Sequence, residues 1–263
     1  MTENLAYAAA EATVAHCFVP ALDTAITVDG PDGHHLQRVR RLRAGELVTA
    51  ADGDGRWRRY VIAGAEPGRL LLRADSDVAI EPELTPAVAV AVALTKGTKL
   101  ETVVAQLTEL GVARIEPVRA RRSVVRWDAA KAAAAQQRYS TVAREAAMQC
   151  RRSRLPVVAP VAELADLAGR PGLVVASADG DPAEALDLPP GNMWTVVVGP
   201  EGGFEPGEVE ALRPAGRLSL SPYVLRAVTA PLVAASLLVA RAGHGSDVVC
   251  DASVTESESP REA

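Results

Sequence analysis

The stretch that decides the fold is Thr195-Val196-Val197-Val198 followed by Gly199-Pro200-Glu201-Gly202-Gly203-Phe204. Its first part is a nearly continuous apolar run, which is typical of a strand buried on both faces of a parallel sheet. The glycines that follow allow backbone N–H and C=O groups to approach a ligand closely. Because parallel α/β sheets bind ligands in loops at the carboxyl ends of their strands, this loop is the first candidate binding site.

The sequence around this stretch alternates between strand and helix patterns. Predicted strands span 88–94, 112–118, 173–177, 195–198 and 218–220, and predicted helices span 99–110, 128–150 and 228–241. Asp128 is placed to cap the long second helix, while Glu205 and Pro206 are placed to begin a short helix after the glycine-rich loop. This alternation predicts an α/β domain with a mostly parallel sheet over residues 87–249.

Residues 16–82 show a different pattern. Short runs with strand character at 25–29, 47–51, 57–62 and 69–73 are separated by Asp-Gly turn signals. A short helix is predicted at 33–42, and the Pro- and Glu-rich stretch 81–86 predicts a linker. We therefore expect a small β-barrel at 16–82. Residues 1–15 are expected to form an extension, and residues 250–263 a disordered acidic tail.

The composition excludes several classes of protein. The chain has 263 residues, of which 48% are hydrophobic and 23% charged, so a largely disordered protein is excluded. Three widely spaced cysteines (Cys17, Cys150 and Cys250) argue against a disulfide scaffold and against a thiolate metal site, and we expect no metal. The longest apolar run is too short to span a bilayer. We expect a cytoplasmic protein with free thiols.

The distribution of charge points to an anionic polymer as partner. The net charge is −5, yet residues 114–154 carry eleven Lys or Arg against three Asp or Glu, and residues 34–73 carry nine against four. Arginine makes up 25 of the 28 basic residues, and its planar guanidinium suits phosphate recognition and base stacking. A codon bias would explain arginine over lysine, but it would not explain the clustering. The two blocks therefore predict nucleic-acid binding.

Two loops carry the candidate chemistry. The loop 199–204 matches neither GxxxxGK[ST] nor GxGxxG, and Glu201 would repel a pyrophosphate, so a ligand with hydroxyls or a positive charge is favoured. A plain tight turn is the alternative. A second loop, 218–231, leads from a strand into a helix and carries Arg226 in an apolar setting, where a charge needs a partner. Arg226 therefore contacts a substrate or forms a structural salt bridge.

Together these loops resemble a known family. Residues 199–204 resemble the GPEGGF signature of the ribosomal RNA uridine N3-methyltransferases, the RsmE family of the SPOUT superfamily, and residues 218–230 resemble its LSLG…ILRxETA segment. Further similarities lie in His35-Leu36…Val39-Arg40-Arg41-Leu42-Arg43, Leu94-Thr95-Lys96-Gly97, Arg122-Ser123-Val124 and Glu145-Ala146…Gln149-Cys150…Arg154-Leu155-Pro156. The resemblance extends over residues 16–245.

The resemblance implies a fold, a reaction and a set of site residues. The implied fold is a PUA-like barrel followed by a SPOUT domain with a deep trefoil knot, acting as a homodimer. The implied reaction is S-adenosylmethionine-dependent methylation of N3 of a 16S rRNA uridine, U1498, in the 30S subunit. The implied cofactor residues are Leu94, Gly199, Pro200, Glu201, Gly202, Gly203, Leu218, Leu220, Ser221, Leu225, Arg226, Thr229 and Ala230. The residues expected to bind RNA are Arg38, Arg40, Arg41, Arg43, Lys96, Lys99, Arg121, Arg122, Arg126, Arg151, Arg152 and Arg154.

The chemistry of that reaction gives three side chains candidate catalytic roles. Uracil N3 must lose its proton, which spreads negative charge over N3, O2 and O4, and a guanidinium beside the base would stabilise that charge. Arg226 is the first candidate for this role and Arg154 the second. Glu201 is a candidate for the base, or for a residue that only orients the loop. A base within folded RNA must be splayed out to be reached.

Several positions depart from the family pattern. Val228 stands where the glutamate of ETA is expected, and Ser221 where the glycine of LSLG is expected. Leu107, Met148 and Glu205 also differ from the usual residues. Two alternatives to an active N3-methyltransferase therefore stay open. One is a non-catalytic RNA-binding or ribosome-assembly protein that retains the fold, and the other is a SPOUT enzyme with another RNA target.

Overall fold

The computed structural model describes residues 13–34, 36–37, 41–94, 99–123, 125 and 127–243. The chain divides between Pro82 and Glu83 into two compact units. The division falls within the Pro- and Glu-rich stretch 81–86 of the sequence.

The N-terminal unit is built around a six-stranded sheet. Its strands are β1 (Ala15–Phe18), β2 (Ala25–Val28), β3 (Leu47–Ala51), β4 (Arg56–Glu66), β5 (Arg69–Ala74) and β6 (Ala79–Ile80). The strand order is β1-β3-β4-β5-β2, with β6 on β4. The pairing of β1 with β3 is parallel and the others are antiparallel. Strand β1 includes Ala15, so the sheet begins one residue before the predicted barrel.

The helix predicted at 33–42 is present in part, because helix α1 spans Gly30–His34 and residues 36–37 are also helical. It begins three residues earlier than predicted, and residues 35 and 38–40 lie outside the described residues. The N–H of Gly33 donates to the carbonyl of Asp29 at 3.1 Å, so the helical turn forms at the end of β2. Gly33 also lies against the backbone, since a Cβ there would be 2.5 Å from the oxygen of Val28 and 2.6 Å from that of Gly68. The turn is therefore fixed by close backbone packing, which residue periodicity does not reveal.

The C-terminal unit alternates strands and helices. Its strands are β7 (Ala87–Ala93), β8 (Arg114–Arg119), β9 (Val157–Val158), β10 (Ala162–Glu163), β11 (Leu173–Asp181), β12 (Met193–Val198) and β13 (Gly216–Leu218). Its α-helices are α2 (Lys99–Glu109), α3 (Ala129–Cys150), α4 (Glu208–Leu212) and α5 (Ala230–Ala242), and two 3-10 turns lie at Leu164–Leu167 and Ala183–Ala185. The predicted α/β domain is confirmed.

The sheet order of this unit is β10-β8-β7-β12-β11-β13, with β9 also on β8. Every strand pairing among the described residues is parallel. From β7 the chain adds β8, β9 and β10 on one side, whereas β11, β12 and β13 lie on the other side. The order therefore reverses between β7 and β12, and such a switch point opens a crevice at the carboxyl ends of the strands.

Both faces of this sheet are covered. Along β7 the valines Val88, Val90 and Val92 point to one face, where they pack with α2, α3 and α5. Ala91 points to the other face and packs with Leu164, Leu167 and Leu212, among others. Burial on both faces explains why β7 and β12 appear in the sequence as continuous apolar runs.

Helix ends follow local signals in one case and not in another. The carboxylate of Asp128 accepts from the N–H of Lys131 at 2.7 Å, which confirms the predicted cap of α3. The predicted helix start at Glu205 and Pro206 is wrong, because α4 begins at Glu208 after Gly207, whose φ is +79°. The last strand is likewise Gly216–Leu218 rather than 218–220.

Candidate active site

The glycine-rich loop leaves the carboxyl end of β12 beside the switch point. A tight turn closes it, because the N–H of Gly203 donates to the carbonyl of Pro200 at 2.9 Å and Gly203 has a φ of +66°. The ring of Phe204 folds back over Gly199, where an added Cβ would lie 3.0 Å from the ring. Gly202 and Gly203 are exposed. The loop therefore presents bare backbone at the carboxyl edge of the sheet.

A single carboxylate ties this loop to the loop that follows β8. Oε1 of Glu208 accepts from the N–H of Arg121 at 2.9 Å, and Oε2 accepts from the N–H of Glu205 at 2.9 Å. The guanidinium of Arg122 reaches the same loop and donates to the carbonyl of Gly202 at 2.9 Å. We call the five residues joined by these hydrogen bonds the loop bridge: Arg121, Arg122, Gly202, Glu205 and Glu208.

A cleft of about 510 Å³ lies beside the loop bridge. Its walls include Arg119, Arg121, Ser123 and Glu163. Arg119 pairs with Glu163 at 3.2 Å, and the hydroxyl of Ser123 accepts from the N–H of Ala120 at 3.1 Å. Glu208 also lines the cleft, so two arginines and two glutamates face it and their charges balance.

The second predicted loop begins where the backbone after β13 packs closely against the backbone of Gly180 and Asp181. The N–H of Ser219 donates to the carbonyl of Asp181 at 2.8 Å. A Cβ on Gly180 would lie 2.6 Å from the carbonyl carbon of Leu218 and 2.7 Å from the nitrogen of Ser219. This contact ends β13 at Leu218 and turns the chain away from the sheet, which is why the predicted strand 218–220 is displaced.

The same loop then leads into α5. The carbonyl of Arg226 accepts from the N–H groups of Thr229 and Ala230 at 2.8 and 2.9 Å, which fixes the first turn before the helix. Leu220 and Val228 are partly buried against the main core. Val228 therefore fills an apolar position where the family pattern has a glutamate. Leu225 is half-buried.

The expected apolar setting of Arg226 is wrong, because its side chain is exposed. Its sequence neighbours Leu225 and Val228 turn toward the protein, whereas the guanidinium faces solvent. No ion pair of Arg226 is found within the described part of the chain. The salt-bridge alternative left open by the sequence is therefore not realised among those residues.

The arginines after α3 have structural contacts. The guanidinium of Arg152 donates to the carbonyls of Thr108 and Val112 at 3.0 and 2.9 Å, at the end of α2. Arg154 is half-buried and pairs with Glu83 at 2.8 Å. Arg151 caps α3 with a φ of +61°. These contacts position the chain after α3, and the predicted RNA-binding role of the three arginines stays a prediction.

The other predicted RNA-binding residues are either exposed or lie outside the residues that the structure describes. Arg41, Arg43, Arg121 and Arg122 are exposed. Arg38, Arg40, Lys96 and Arg126 lie outside the described residues, as do the side chain of Lys99, most of the predicted extension and the whole predicted tail. Leu94 directly follows β7 and donates its N–H to the carbonyl of Val118 at 2.9 Å.

Asp179 of β11 carries the perturbed carboxyl group at this edge of the sheet. A hydrogen bond from Ser177, with the nearby guanidinium of Arg217, holds the pKa of Asp179 below its usual range. Arg217 also contacts Glu210 at 3.4 Å. Arg217 of β13 therefore pairs with Asp179 of β11 on one side and with Glu210 of α4 on the other.

The sequence missed Glu208 and Gly180 as residues that shape the site. Both act on partners far away in the sequence, so neither belongs to a local pattern. One weak signal existed for Glu208, because acidic residues favour the first turn of a helix. That signal does not predict the hydrogen bonds that Glu208 makes to the two loops. Gly180 gave no signal beyond being a glycine near the end of a predicted strand.

Comparison with known proteins identifies the family. A model described as an RNA methyltransferase domain matches residues 82–239, and one described as an RNA methyltransferase PUA domain matches residues 28–75. Ribosomal RNA small subunit methyltransferase E of Mycobacterium bovis is 34% identical over 227 residues, covering 82% of this chain and 86% of that protein. The chain belongs to the RsmE family.

Two solved structures with bound S-adenosylmethionine are similar to this chain. The ribosomal RNA small subunit methyltransferase E from Neisseria gonorrhoeae, bound to S-adenosyl methionine, has a TM-score of 0.76 at 25% identity and covers 86% of this chain and 97% of its own. A Legionella pneumophila protein in complex with the bound cofactor SAM has a TM-score of 0.75 at 27% identity, with the same coverage. The predicted family and its PUA-like N-terminal domain are confirmed.

Two kinds of feature are absent from the part of the chain that the structure describes. No helix there is long and apolar enough to cross a membrane. No group of three or more His, Cys, Asp or Glu side chains with the arrangement of a metal site occurs there either.

Proposed function

We propose that this RsmE-family chain transfers the methyl group of S-adenosylmethionine to N3 of a uridine in 16S rRNA, the family's U1498. The observation that carries the proposal is the position of the GPEGGF loop. It lies at the carboxyl end of β12, next to the switch point of a parallel sheet, and the loop bridge joins it to an arginine-rich loop. Cofactor loop and basic surface therefore adjoin each other, as transfer to RNA requires.

The residues of the loop fit S-adenosylmethionine. Exposed backbone at Gly202 and Gly203 leaves room for close polar contacts, and half-buried Leu220 and Leu225 supply apolar surface for an adenine. The carboxylate of Glu201 suits ribose hydroxyls and a positive sulfonium. We propose the wider set named from the sequence, from Leu94 to Ala230, as the cofactor site. A trefoil knot in the 199–230 region would bring these loops together.

When bound, S-adenosylmethionine supplies an electrophilic methyl group, so that an N3–C bond forms while the C–S bond breaks and the N3 proton leaves. The role we propose for Arg226 is to stabilise the charge that develops on the uracil. Its exposed position on the loop between β13 and α5 supports this role. Arg154 is the weaker candidate, since Glu83 already balances its charge. Glu201 either takes the proton or orients the loop.

The exposed arginines of each unit, considered separately, support the proposed RNA partner. Arg121 and Arg122 of the C-terminal unit, with Arg41 and Arg43 of the PUA-like unit, are exposed and would contact rRNA phosphates. We further propose a homodimer in the cytoplasm, acting on the 30S subunit.

The test uses purified protein, labelled S-adenosylmethionine and 30S subunits that lack the modification. Nucleoside mass spectrometry should find N3-methyluridine. If the protein binds S-adenosylmethionine but transfers no methyl group, or does neither, the non-catalytic RNA-binding protein is favoured. A different methylated nucleoside would favour another RNA target. Each of these results would overturn the proposed reaction.

A further inference from the structure

The loop between β13 and α5 carries an exposed aromatic ring. Tyr223 is 81% exposed and its neighbour Val224 is fully exposed. The chain is poor in aromatic residues, with four Tyr, three Trp and two Phe. Of those that the structure describes, the others are buried or half-buried. Tyr223 is thus the exception among them, and leaving a ring in water forgoes the stabilisation that burial would give.

The ring sits at a tip that is held on both sides. Before it, the hydroxyl of Ser221 accepts from the N–H of Tyr223 at 3.1 Å. After it, the carbonyl of Arg226 accepts from two N–H groups of the first turn before α5. Ser221 is the residue that replaces the glycine of the family pattern, so its side chain supplies a contact that glycine lacks. The tip is therefore presented by local hydrogen bonds.

The topology places this tip beside the candidate active site. β13 is the edge strand, whereas α5 packs against the central strands β7 and β12. The connection must therefore cross the carboxyl ends of β11 and β12, a distance of three strand spacings or about 14 Å. The glycine-rich loop rises from the end of β12 at the same edge. Tyr223 and Arg226 thus lie on the loop that runs past the proposed reaction site.

We propose that Tyr223 is a substrate-positioning residue whose ring stacks on an unstacked base of the RNA substrate. The inference rests on the proposed function. An exposed ring close in sequence to an exposed arginine is the combination that single-stranded RNA favours, because each base offers a π-face and each nucleotide a phosphate. A contact between two copies of the chain is the competing explanation of an exposed apolar tip. The cation at position 226, for which the described chain provides no ion pair, favours RNA.

The experiment compares Tyr223→Ala, Tyr223→Phe and Leu188→Ala with the unmodified protein. Leu188 is an exposed apolar residue of a different loop and serves as the matched control. Binding to unmethylated 30S subunits, methyl transfer and S-adenosylmethionine affinity are each measured. Tyr223→Ala should weaken 30S binding and lower kcat/KM by roughly 10-fold, the equivalent of ~1.4 kcal/mol of stacking. Tyr223→Phe, which keeps the ring, and the control should stay within about twofold. Cofactor affinity should not change.

The outcomes separate this inference from the proposed function. If the unmodified protein transfers no methyl group, the proposed function fails, but the 30S binding series still tests stacking. Equal 30S binding by Tyr223→Ala and the unmodified protein would overturn the inference. So would a change in sedimentation that shows Tyr223→Ala to be more dissociated, because the tip would then be a contact between copies. Loss of binding in Tyr223→Phe as well as Tyr223→Ala would exclude ring stacking.

Discussion

Removing the Glu208 carboxylate should loosen the site and destabilise the C-terminal unit. Glu208 accepts two backbone hydrogen bonds, from Arg121 in the loop after β8 and from Glu205 in the loop after β12. In Glu208→Ala both N–H groups lose their acceptor, and the two loops lose their common anchor. Glu208→Gln keeps one acceptor oxygen and loses the charge.

The magnitude follows from the two bonds. A hydrogen bond to a charged group contributes ~1.5–3 kcal/mol when buried, but these loops are partly exposed and water can replace the acceptor. About 1 kcal/mol for each bond is therefore appropriate, which gives ~2 kcal/mol for Glu208→Ala and ~1 kcal/mol for Glu208→Gln. For a unit of this size, ~2 kcal/mol corresponds to a Tm lower by about 4–8 °C.

Thermal unfolding by circular dichroism measures the stability, and calorimetric titration measures S-adenosylmethionine binding. The control is Glu210→Ala on the same helix, whose exposed contact with Arg217 should contribute at most ~0.5 kcal/mol. Cofactor affinity should fall roughly fivefold in Glu208→Ala, because binding must then order the loops. If Glu208→Ala and Glu210→Ala have the same Tm and the same cofactor affinity, the bridging role is refuted.

Three further changes have defined expectations. Gly180→Ala should lower the free energy of unfolding by at least ~3 kcal/mol, because the new Cβ meets backbone atoms of residues 217–219 that cannot move aside. Gly203→Ala has open space around its Cβ but a positive φ, so it should lower that free energy by only ~1 kcal/mol. Urea unfolding of the two variants measures the difference. Burial raises the pKa of Tyr139 above its ordinary value of about 10, so stability should be constant below pH ~10 and fall as the pH rises toward the folded-state pKa. Tyr139→Phe should remove part of that fall, and an identical pH profile would contradict it. Arg226→Ala should lower methyl transfer by at least ~100-fold with cofactor affinity within about threefold, and unchanged turnover would remove it from the chemistry.

The sequence was informative wherever local pattern and environment agree. Val88 to Val92 predicted a doubly buried strand because both faces of β7 are covered. Asp128 predicted its own helix start because a cap acts within three residues. The sequence also predicted correctly that the GPEGGF loop follows a buried strand, because the loop begins at the residue after β12.

The failures have a common physical cause, which is contact between residues distant in sequence. Glu205 and Pro206 favour a helix start locally, but Glu208 bonds the loop after β8 and Gly207 sets the turn. The hydrogen bonds from the Arg152 guanidinium to the carbonyls of Thr108 and Val112 were not predicted either, because these residues are about 40 positions away in the sequence. The RNA-binding role predicted for Arg152 stays a prediction.

Arg226 has apolar neighbours in sequence but faces solvent, because adjacent side chains of a loop need not point the same way. The strands β9 and β10 have two residues each, which is too short for any periodic pattern. A knotted path is also absent from local signals, since it concerns only the order in which distant segments pass each other.

Locating the methyl group in the RNA shows whether the protein methylates N3 of U1498. A methyl group on N3 removes the donor that uridine uses in base pairing, so reverse transcriptase stops at the modified position. Unmethylated 30S subunits are incubated with this protein and S-adenosylmethionine, and their 16S rRNA is then read by primer extension. One new stop is expected, at U1498, and it should require both protein and cofactor. No stop, or a stop only elsewhere, would contradict it.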